Sequence, residues 1–278
     1  MIITNKTIIK KYEYAQVSLL TDSSNNKFIE KIQFHNPPVI PLNFQYDFCE
    51  LEGYTSILKP LEIPHAWIID SRYDENSTTF IMEYIDGINC ENEPKAEYLY
   101  IAAEKFGEIY TKSKTNIARL DKNIIDKYTL SKNQILNYID VIKNHYDLPP
   151  MDSLIDYIFI KYQNHDVFVN HGDVQFKNFI FNNDLHIIDW NVKISPFFTD
   201  LHSLIEQANA VNADEIIKRY CKFSLIKSIS DEDIFIGGII GSIQAVFELL
   251  IYDCPVEWVN DSYTGLLHLI SKKGILYL

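Results

Sequence analysis

From residue 2 to about residue 85, apolar and polar residues alternate, and the apolar positions are rich in Ile, Val, Tyr and Phe. The runs with this pattern are TIIKKYEY, AQVSLLTD, KFIEKIQF, AWIIDS and TTFIMEY. Such alternation is typical of strands with one buried face, and the Asn- and Ser-rich stretch 23–26 predicts a hairpin loop. We therefore expect an antiparallel sheet, interrupted once by a helix over 47–58 that ends near Pro60.

After Gly87 the apolar residues recur with the period of a helix. Ser131 followed by Gln134 predicts a capping box at the start of one of these helices. The predicted helices cover 97–112, 132–145, 152–163, 201–210, 214–223, 234–252 and 263–272. A short strand-rich segment, 167–190, lies among them. The expected fold is α+β and bilobal, with a small antiparallel sheet lobe carrying one helix (1–86), a larger, mainly helical lobe (87–278), and a cleft between them.

Composition narrows the class of protein. The 278 residues are 47% hydrophobic, which is enough for real cores, and the formal charge of −13 argues against a general grip on nucleic-acid phosphates. The four cysteines, which show no metal-site or redox spacing, are expected to be reduced thiols in a cytoplasmic protein. The apolar segment 235–252 contains Gln244 and Glu248 and is expected to be a buried helix, so we expect no membrane partner.

The segment HGDVQFKN, residues 171–178, and the later IIDW, residues 187–190, carry the chemistry. Phosphoryl transfer needs a carboxylate to orient the attacking hydroxyl and oxygen ligands to hold Mg²⁺ on the phosphates. Asp173 and Asn178 lie five residues apart on one loop, and the predicted hairpin returns Asp189 beside Asn178. His-Gly-Asp alone is also common in ordinary turns. The strand before it, the Asn at this spacing and the second carboxylate together favour the catalytic interpretation.

These motifs resemble those of the aminoglycoside phosphotransferase and choline kinase group, whose members share the bilobal protein-kinase-like fold. The resemblance is strong over 167–201 and agrees in order and spacing over 8–200. It implies that Asp173 is the catalytic base and that Asn178 and Asp189 bind magnesium. It also implies that Asp200 is a structural clamp for the catalytic loop.

Such an enzyme also needs a cation at the nucleotide phosphates and a carboxylate that holds this cation in place. Lys31 lies on the expected third strand, and Glu50 is its expected partner, with Glu52 as the alternative. In FIMEYIDG, the resemblance implies an adenine pocket with Met82 at its rear and backbone groups near Glu83 and Ile85; a strand simply leaving the sheet fits the same residues.

Two departures from the kinase pattern bear on function. No glycine occurs between residues 1 and 52, so the expected phosphate-covering turn, 12–16, lacks the usual glycines. Only residues 191–199 separate Asp189 and Trp190 from Asp200, and no Ala-Pro-Glu follows, which leaves no room for a peptide-docking activation segment. The expected enzyme is therefore a phosphotransferase that uses ATP, or GTP, and a small-molecule alcohol acceptor.

The acceptor is expected to be bound by the helices after residue 200. The candidate residues are acidic or aromatic: Trp190, Glu206, Asp231, Glu232, Asp233, Glu248, Asp253, Glu257 and Trp258. Scattered acids suit an amino sugar or aminoglycoside, whereas an aromatic box would suit a quaternary amine such as choline. A choline-kinase-like enzyme and a catalytically silent nucleotide-binding protein remain alternatives, and the chain is expected to be a monomer or a homodimer.

Overall fold

The computed structural model describes residues 1–12, 14–35, 50–208, 212–252 and 254–276, except the side chains of 273–276. The N-terminal part contains one five-stranded antiparallel sheet in the order β1-β2-β3-β5-β4. Its strands are β1 (Ile3–Lys11), β2 (Ala15–Asp22), β3 (Lys27–Phe34), β4 (Ile68–Tyr73) and β5 (Ser77–Glu83). All five predicted strands and the hairpin loop over 23–26 are confirmed. The strand β3 lies at the centre, where Lys31 is paired with Val17 of β2 and Phe80 of β5.

One helix packs on the inner face of this sheet. Helix α1 (Glu50–Glu52) continues directly into a π-helical turn, Gly53–Leu58. Leu51, Tyr54 and Leu58 follow a helical spacing and are buried in the same core as Phe80. The predicted helix is therefore present from Glu50 onward, and its predicted first residues, 47–49, lie outside the described residues.

The C-terminal part is mainly helical. Its helices are α2 (Ala96–Asn116), α3 (Lys122–Tyr128), α4 (Lys132–Lys143), α5 (Asp152–Tyr162), α6 (Thr199–Gln207), α7 (Ala213–Ser224), α8 (Asp231–Ile251) and α9 (Val256–Leu276). Its strands are β6 (Ile88–Asn89), β7 (Phe168–Asn170), β8 (Phe179–Asn182), β9 (Asp184–Ile187) and β10 (Lys193–Ser195). Strand β10 pairs with β7, and the other three form the sheet β6-β8-β9. The α+β, bilobal class is confirmed.

Helix α8 is long and apolar enough to cross a membrane, and it is the one described helix with this property. In this fold it packs against α4, α6 and α9, and most of its apolar residues belong to a core shared with α4, α5 and α9. The capping box of Ser230 and Asp233 sets its start. Packing between helices therefore accounts for the apolar composition of α8.

The elements that the sequence pattern missed are short or exposed. Helix α3 and strands β6 and β10 were not predicted, and each has seven residues or fewer. Helix α9 begins at Val256 and not near residue 263, because its first turn is exposed and shows no apolar periodicity. The capping box at Ser131 and Gln134 is confirmed.

Candidate active site

The polar loop that follows β7 is held by a buried carboxylate. Asp200, in the first turn of α6, accepts hydrogen bonds from the backbone N–H groups of His171 at 2.6 Å and Gly172 at 3.2 Å. Gly172 has a φ of +83°, and a Cβ atom there would lie 2.2 Å from the carbonyl oxygen of Asn191. This position therefore requires glycine. Asp200 makes the contacts that a clamp on the loop 171–178 requires, and its burial raises its pKa.

Asp173 and Asn178 meet at the end of this loop. A short 3₁₀ turn, Phe176–Asn178, brings the Asn178 amide back, and its Nδ2 donates to the Asp173 carbonyl oxygen at 2.7 Å and to Asp173 Oδ2 at 3.0 Å. The Asp173 side chain is 32% exposed, whereas Asn178 is buried. Lys177 Nζ lies 3.3 Å from Asp173 Oδ2. Lys177 lies within the motif HGDVQFKN, but the motif by itself predicted no role for this lysine.

The β8–β9 hairpin returns Asp189 to the same loop. The Ile188 N–H donates to the carbonyl oxygen of Asn178 at 2.9 Å, so the residue before Asp189 is tied to the end of the loop 171–178. Asp189 itself has a φ of +61°, and its side chain is 45% exposed. Strand β9 ends two residues before Asp189, and the left-handed backbone at Asp189 is a conformation that residues other than glycine seldom adopt.

Lys31 joins the sheet to this hairpin. Its Nζ lies 2.5 Å from Glu50 Oε1 and 2.5 Å from Asp189 Oδ1, although the lysine and Asp189 are 158 residues apart. The side chains of Lys31 and Glu50 are 11% and 12% exposed, so the lysine is held extended between two carboxylates. The structure thus brings together the lysine and the partner carboxylate expected by spacing, and adds Asp189 as a second partner.

Burial and charge act in opposite directions on these three groups. Burial favours a neutral Lys31, but the charges of Asp189 and Glu50 outweigh this and raise the Lys31 pKa well above its usual value. Burial raises the pKa of Glu50 to about 6, although Lys31 opposes the rise. The charge of Lys31 lowers the pKa of Asp189 to about 2 against the effect of burial. Asp189 is therefore the carboxylate that stays ionised over the widest pH range.

Glu52, the alternative partner for Lys31, faces another part of the molecule. Its Oε2 accepts a hydrogen bond from Tyr128 OH at 2.9 Å and lies 2.6 Å from Lys127 Nζ. This contact ties the end of α1 to α3. The helix turns by about 100° per residue, so side chains two positions apart point to different sides and only Glu50 reaches Lys31.

The predicted adenine-facing residues lie where the sheet leads into the connector. Met82 is buried on β5, opposite Ile68 and Ile29. Glu83 is the last residue of that strand, and its side chain accepts from the Trp67 N–H at 2.9 Å. The N–H of Ile85 makes no hydrogen bond to any described residue. A buried apolar rear wall next to a free backbone donor is compatible with an adenine ring, and the nucleotide-binding role of these residues stays a prediction.

A cavity of about 240 Å³ adjoins the same connector. It is bounded by the segment before β4, by Glu83 and Ile85, by one face of α2 and by β9. Lys31, Asp173 and Asp189 do not line it. The cavity therefore lies behind the connector, apart from the cluster of charged residues described above.

The acids predicted to bind a cationic acceptor are largely engaged within the fold. Glu232 accepts from Tyr157 OH at 2.5 Å and lies 2.6 Å from Lys161 Nζ, and Asp233 caps α8 and contacts Tyr162. Glu248 lies 3.2 Å from Lys193 Nζ and accepts from the Asn191 amide. Glu206 lies 3.6 Å from His202 Nδ1. Asp231 and Glu257 are exposed, and Asp253 lies outside the described residues.

The aromatic residues differ from prediction as well. Trp190, expected at the cleft, is 1% exposed, because its indole packs on His171 with ring centroids 4.7 Å apart and fills the core beneath the loop. Trp258 is 52% exposed. Tyr14, from the turn between β1 and β2, instead packs against Tyr252 at the end of α8, with ring centroids 4.2 Å apart. No sequence pattern predicted this pair of tyrosines, although Tyr14 lies within the turn expected to cover the phosphates.

Comparison with solved structures decides the fold. The choline kinase LicA from Streptococcus pneumoniae superposes with a TM-score of 0.64 at 15% identity, over 96% of this chain and 95% of that one. A Plasmodium vivax ethanolamine kinase gives 0.63 at 14% identity, over 95% and 81% of the two chains. APH(2")-IIia, solved with GDP and kanamycin, gives 0.62 at 14% identity, over 98% and 95%. The chain has the protein-kinase-like fold. The resemblance of its loop motifs to the aminoglycoside phosphotransferase and choline kinase group is thus confirmed at the level of the fold.

Comparison with the curated proteins finds a relative by sequence. The EKC/KEOPS complex subunit BUD32 of Enterocytozoon bieneusi is 30% identical over 124 residues. The match covers 45% of this chain and 56% of that protein, so the chain spans little more than half of the relative's length. No protein-family model matches the chain.

Proposed function

We propose that this protein is a cytoplasmic phosphotransferase that moves the terminal phosphate of ATP to a hydroxyl group of a small molecule. One observation carries the proposal. Lys31 bridges Glu50 and Asp189, and the hairpin that supplies Asp189 is bonded to the loop that holds Asp173 and Asn178. These contacts link residues from separated stretches of the chain in a kinase-like fold, and they support the proposal because phosphoryl transfer depends on positioned charges.

Asp173 is the proposed catalytic base. Its carboxylate is partly exposed and is oriented by the Asn178 amide, so it can accept a hydrogen bond from an acceptor hydroxyl and take its proton. Lys31 is the proposed ligand of the nucleotide phosphates, because its position is fixed by Glu50. Positioning and charge account for most catalysis of this kind, so a rigid arrangement matters more than reactive chemistry.

Asn178 and Asp189 are the proposed ligands of Mg²⁺, and they fit a hard cation. Asn178 Oδ1 and Asp189 Oδ2 accept no hydrogen bond from any described residue, so both oxygens are available. The described residues contain no cluster of three or more His, Cys, Asp or Glu side chains suited to a metal. Magnesium in kinases is held by few protein ligands together with the phosphates of the substrate, whose developing charge it neutralises when bound.

The connector between the lobes is the proposed adenine site. Met82 supplies a buried apolar surface, and the N–H of Ile85 is available as a donor. Glu83 is proposed to contribute only its backbone groups to the adenine site, because its carboxylate accepts a hydrogen bond from the Trp67 N–H. We propose ATP as the phosphate donor, and the assays described below also use GTP.

The segment after Asp189 favours a small-molecule acceptor over a protein. Residues 193–195 form β10, which pairs with β7 beneath the catalytic loop. Thr199 then begins α6. The segment is therefore part of the folded lobe, and it has no length left over to form a surface for a peptide.

We favour an acceptor with a single cationic group, as in choline or ethanolamine, over an aminoglycoside. An aminoglycoside needs several carboxylates, and Glu206, Glu232, Asp233 and Glu248 all have partners within the fold. The tyrosine pair of Tyr14 and Tyr252 offers instead an aromatic surface, which suits one ammonium group. The scattered acidic residues of the sequence alone favoured an aminoglycoside or amino sugar. The partners that these acids have in the structure change that preference.

Coupled ADP-release assays with choline, ethanolamine, kanamycin and spectinomycin test the proposal, with ATP and GTP as donors. We expect Mg²⁺-dependent turnover with a monoamine alcohol. A Mg²⁺-dependent thermal shift with ATP, together with no turnover on any acceptor, would favour the catalytically silent alternative. No shift with either nucleotide would overturn the proposal.

A further inference from the structure

The turn between β1 and β2 reaches across the cleft through one side chain. The Tyr12 N–H donates to the Ala15 carbonyl oxygen at 2.7 Å and closes the turn, so Tyr14 lies at its tip. The Tyr14 ring stacks on Tyr12, with centroids 5.3 Å apart and planes inclined by 7°, and its centroid lies 4.2 Å from that of Tyr252. Since Tyr252 follows the last residue of α8, Tyr14 connects the sheet to the helical lobe.

The helix end that Tyr14 meets is tied to the charged cluster. The Tyr252 N–H donates to the Glu248 carbonyl oxygen at 3.1 Å, and the Glu248 carboxylate accepts from Asn191 Nδ2 at 2.9 Å. Asn191 lies two residues after Asp189, and its carbonyl oxygen lies against Gly172, which precedes Asp173. Tyr14 therefore contacts a helix end that is joined to the hairpin and loop carrying both carboxylates, and the charges of Asp189 and Asp173 act on its phenol.

The hydroxyl of Tyr14 is a free donor. It makes no hydrogen bond to any described residue, although the side chain is half-buried. Burial is the main cause that raises its pKa, and the nearby Cys254, Tyr12, Asp189 and Asp173 add to the rise. The phenol therefore stays protonated at any assay pH.

We propose that Tyr14 Oη donates a hydrogen bond to the terminal phosphate of the bound nucleotide. The inference rests on the proposed function, because it needs a nucleotide whose terminal phosphate lies beside Asp173 and Asp189. The turn has no glycine, so bulky side chains limit the approach of its backbone amides, and a side-chain donor supplies a contact that amides give elsewhere. A hydrogen bond to a charged phosphate is stronger than one between neutral groups.

Calorimetry with the non-hydrolysable analogue AMP-PNP and with ADP, both with Mg²⁺, tests this inference without an acceptor. In Tyr14→Phe the ring and its stacking remain and only the hydroxyl is lost. We expect affinity for AMP-PNP to fall roughly tenfold and affinity for ADP to change less than about twofold, since only AMP-PNP carries the third phosphate. Tyr12→Phe is the matched control and should leave the ratio of the two affinities unchanged.

The outcomes separate the two proposals. Parent protein that binds neither nucleotide overturns the proposed function itself. Parent protein that binds both, with equal loss or no loss of the two affinities in Tyr14→Phe, overturns the role of Tyr14 alone. In Tyr252→Ala we expect the affinity for AMP-PNP to fall by less than in Tyr14→Phe and the affinity for ADP to stay unchanged. The substitution removes the ring that holds Tyr14 in place but leaves the Tyr14 hydroxyl.

Discussion

The carboxylates of the cleft and those of the helices after residue 200 are the same residue types, and both sets have partners, but the partners come from different places. Asp189 is paired with Lys31 of the sheet, and Asp173 with the amide of Asn178 on its own loop. Glu232 and Asp233 are bound to side chains of α5 and to the start of α8. Exposure does not separate the two sets, since the side chains of Asp173 and Glu232 are 32% and 35% exposed. The origin of the partner therefore distinguishes the two sets of carboxylates better than exposure does.

The largest effect is expected for Asp173→Asn. The substitution keeps the shape and removes the base, so turnover should fall by about 10³-fold. Affinity for Mg²⁺ and nucleotide should change little, because Asp173 is not a proposed ligand of either. Steady-state kinetics and calorimetry measure the two quantities, and Asp231→Asn, an exposed acid on α8, is the isosteric control. Equal turnover in Asp173→Asn and the parent would remove the base assignment.

Asp189→Ala should act on binding and not only on rate. It removes a proposed metal ligand and one partner of Lys31, so the affinity for Mg²⁺ and ATP should fall by about 100-fold. Glu50 still holds Lys31, and the thermal stability should therefore fall only modestly. Titration with ATP at several Mg²⁺ concentrations measures the effect. Unchanged affinity and Mg²⁺ dependence would contradict the metal role.

Glu50 should give the cleft a pH-dependent stability opposite in sign to that of Glu232 and Asp233, whose pKa values are lowered in the folded state. Its pKa of about 6 lies above its usual 4.5, so the folded state holds a proton that the unfolded state releases. Its contribution is full below about pH 4.5 and is lost as the pH rises through 6, amounting to about 2 kcal/mol. Urea unfolding of the parent and of Glu50→Gln at several pH values from 4 to 7 compares how their free energies of unfolding depend on pH. Parallel curves across that range would count against this assignment.

The smallest effect is expected for Glu232→Gln. The carboxylate is partly exposed and pairs with Lys161, so its loss should lower the free energy of unfolding by about 0.2–1 kcal/mol. Turnover and the acceptor KM should stay at the parent values. A several-fold rise in the acceptor KM would show that Glu232 belongs to the acceptor site, and it would contradict the distinction between the two sets of carboxylates.

Much of the fold could be predicted from local pattern. The five strands of the large sheet follow sequence alternation, although β1 and most of β4 are exposed in the structure, and the capping box at Ser131 marks one helix start. Elements of few residues, such as β10 and α3, are too short for a period to show. The proposed catalytic loop and the hairpin that leads to Asp189 could be predicted because their residues are close in sequence and resemble a known motif.

The acceptor side could not be predicted in the same way. Trp190 reads as a residue of the cleft because it follows Asp189, yet its side chain alternates to the opposite side and lies in the core. Glu52 and Glu50 are equally good partners for Lys31 by composition, and only the rotation of the helix separates them. The pairing of Tyr14 with Tyr252 joins residues far apart in the chain, which no local pattern contains.

The sequence by itself determined which residue types stand at which spacing: the strands and helices, the loop with Asp173 and Asn178, and the hairpin that leads to Asp189. These features depend on neighbours within about one turn or one hairpin, where backbone geometry converts spacing into position. Only the tertiary structure decided which partner each carboxylate meets, because a charge is paired with whatever side chain the folded chain brings to it. That is why Lys31 reaches Asp189 across the cleft while Glu248, on an apolar helix, is paired with Lys193.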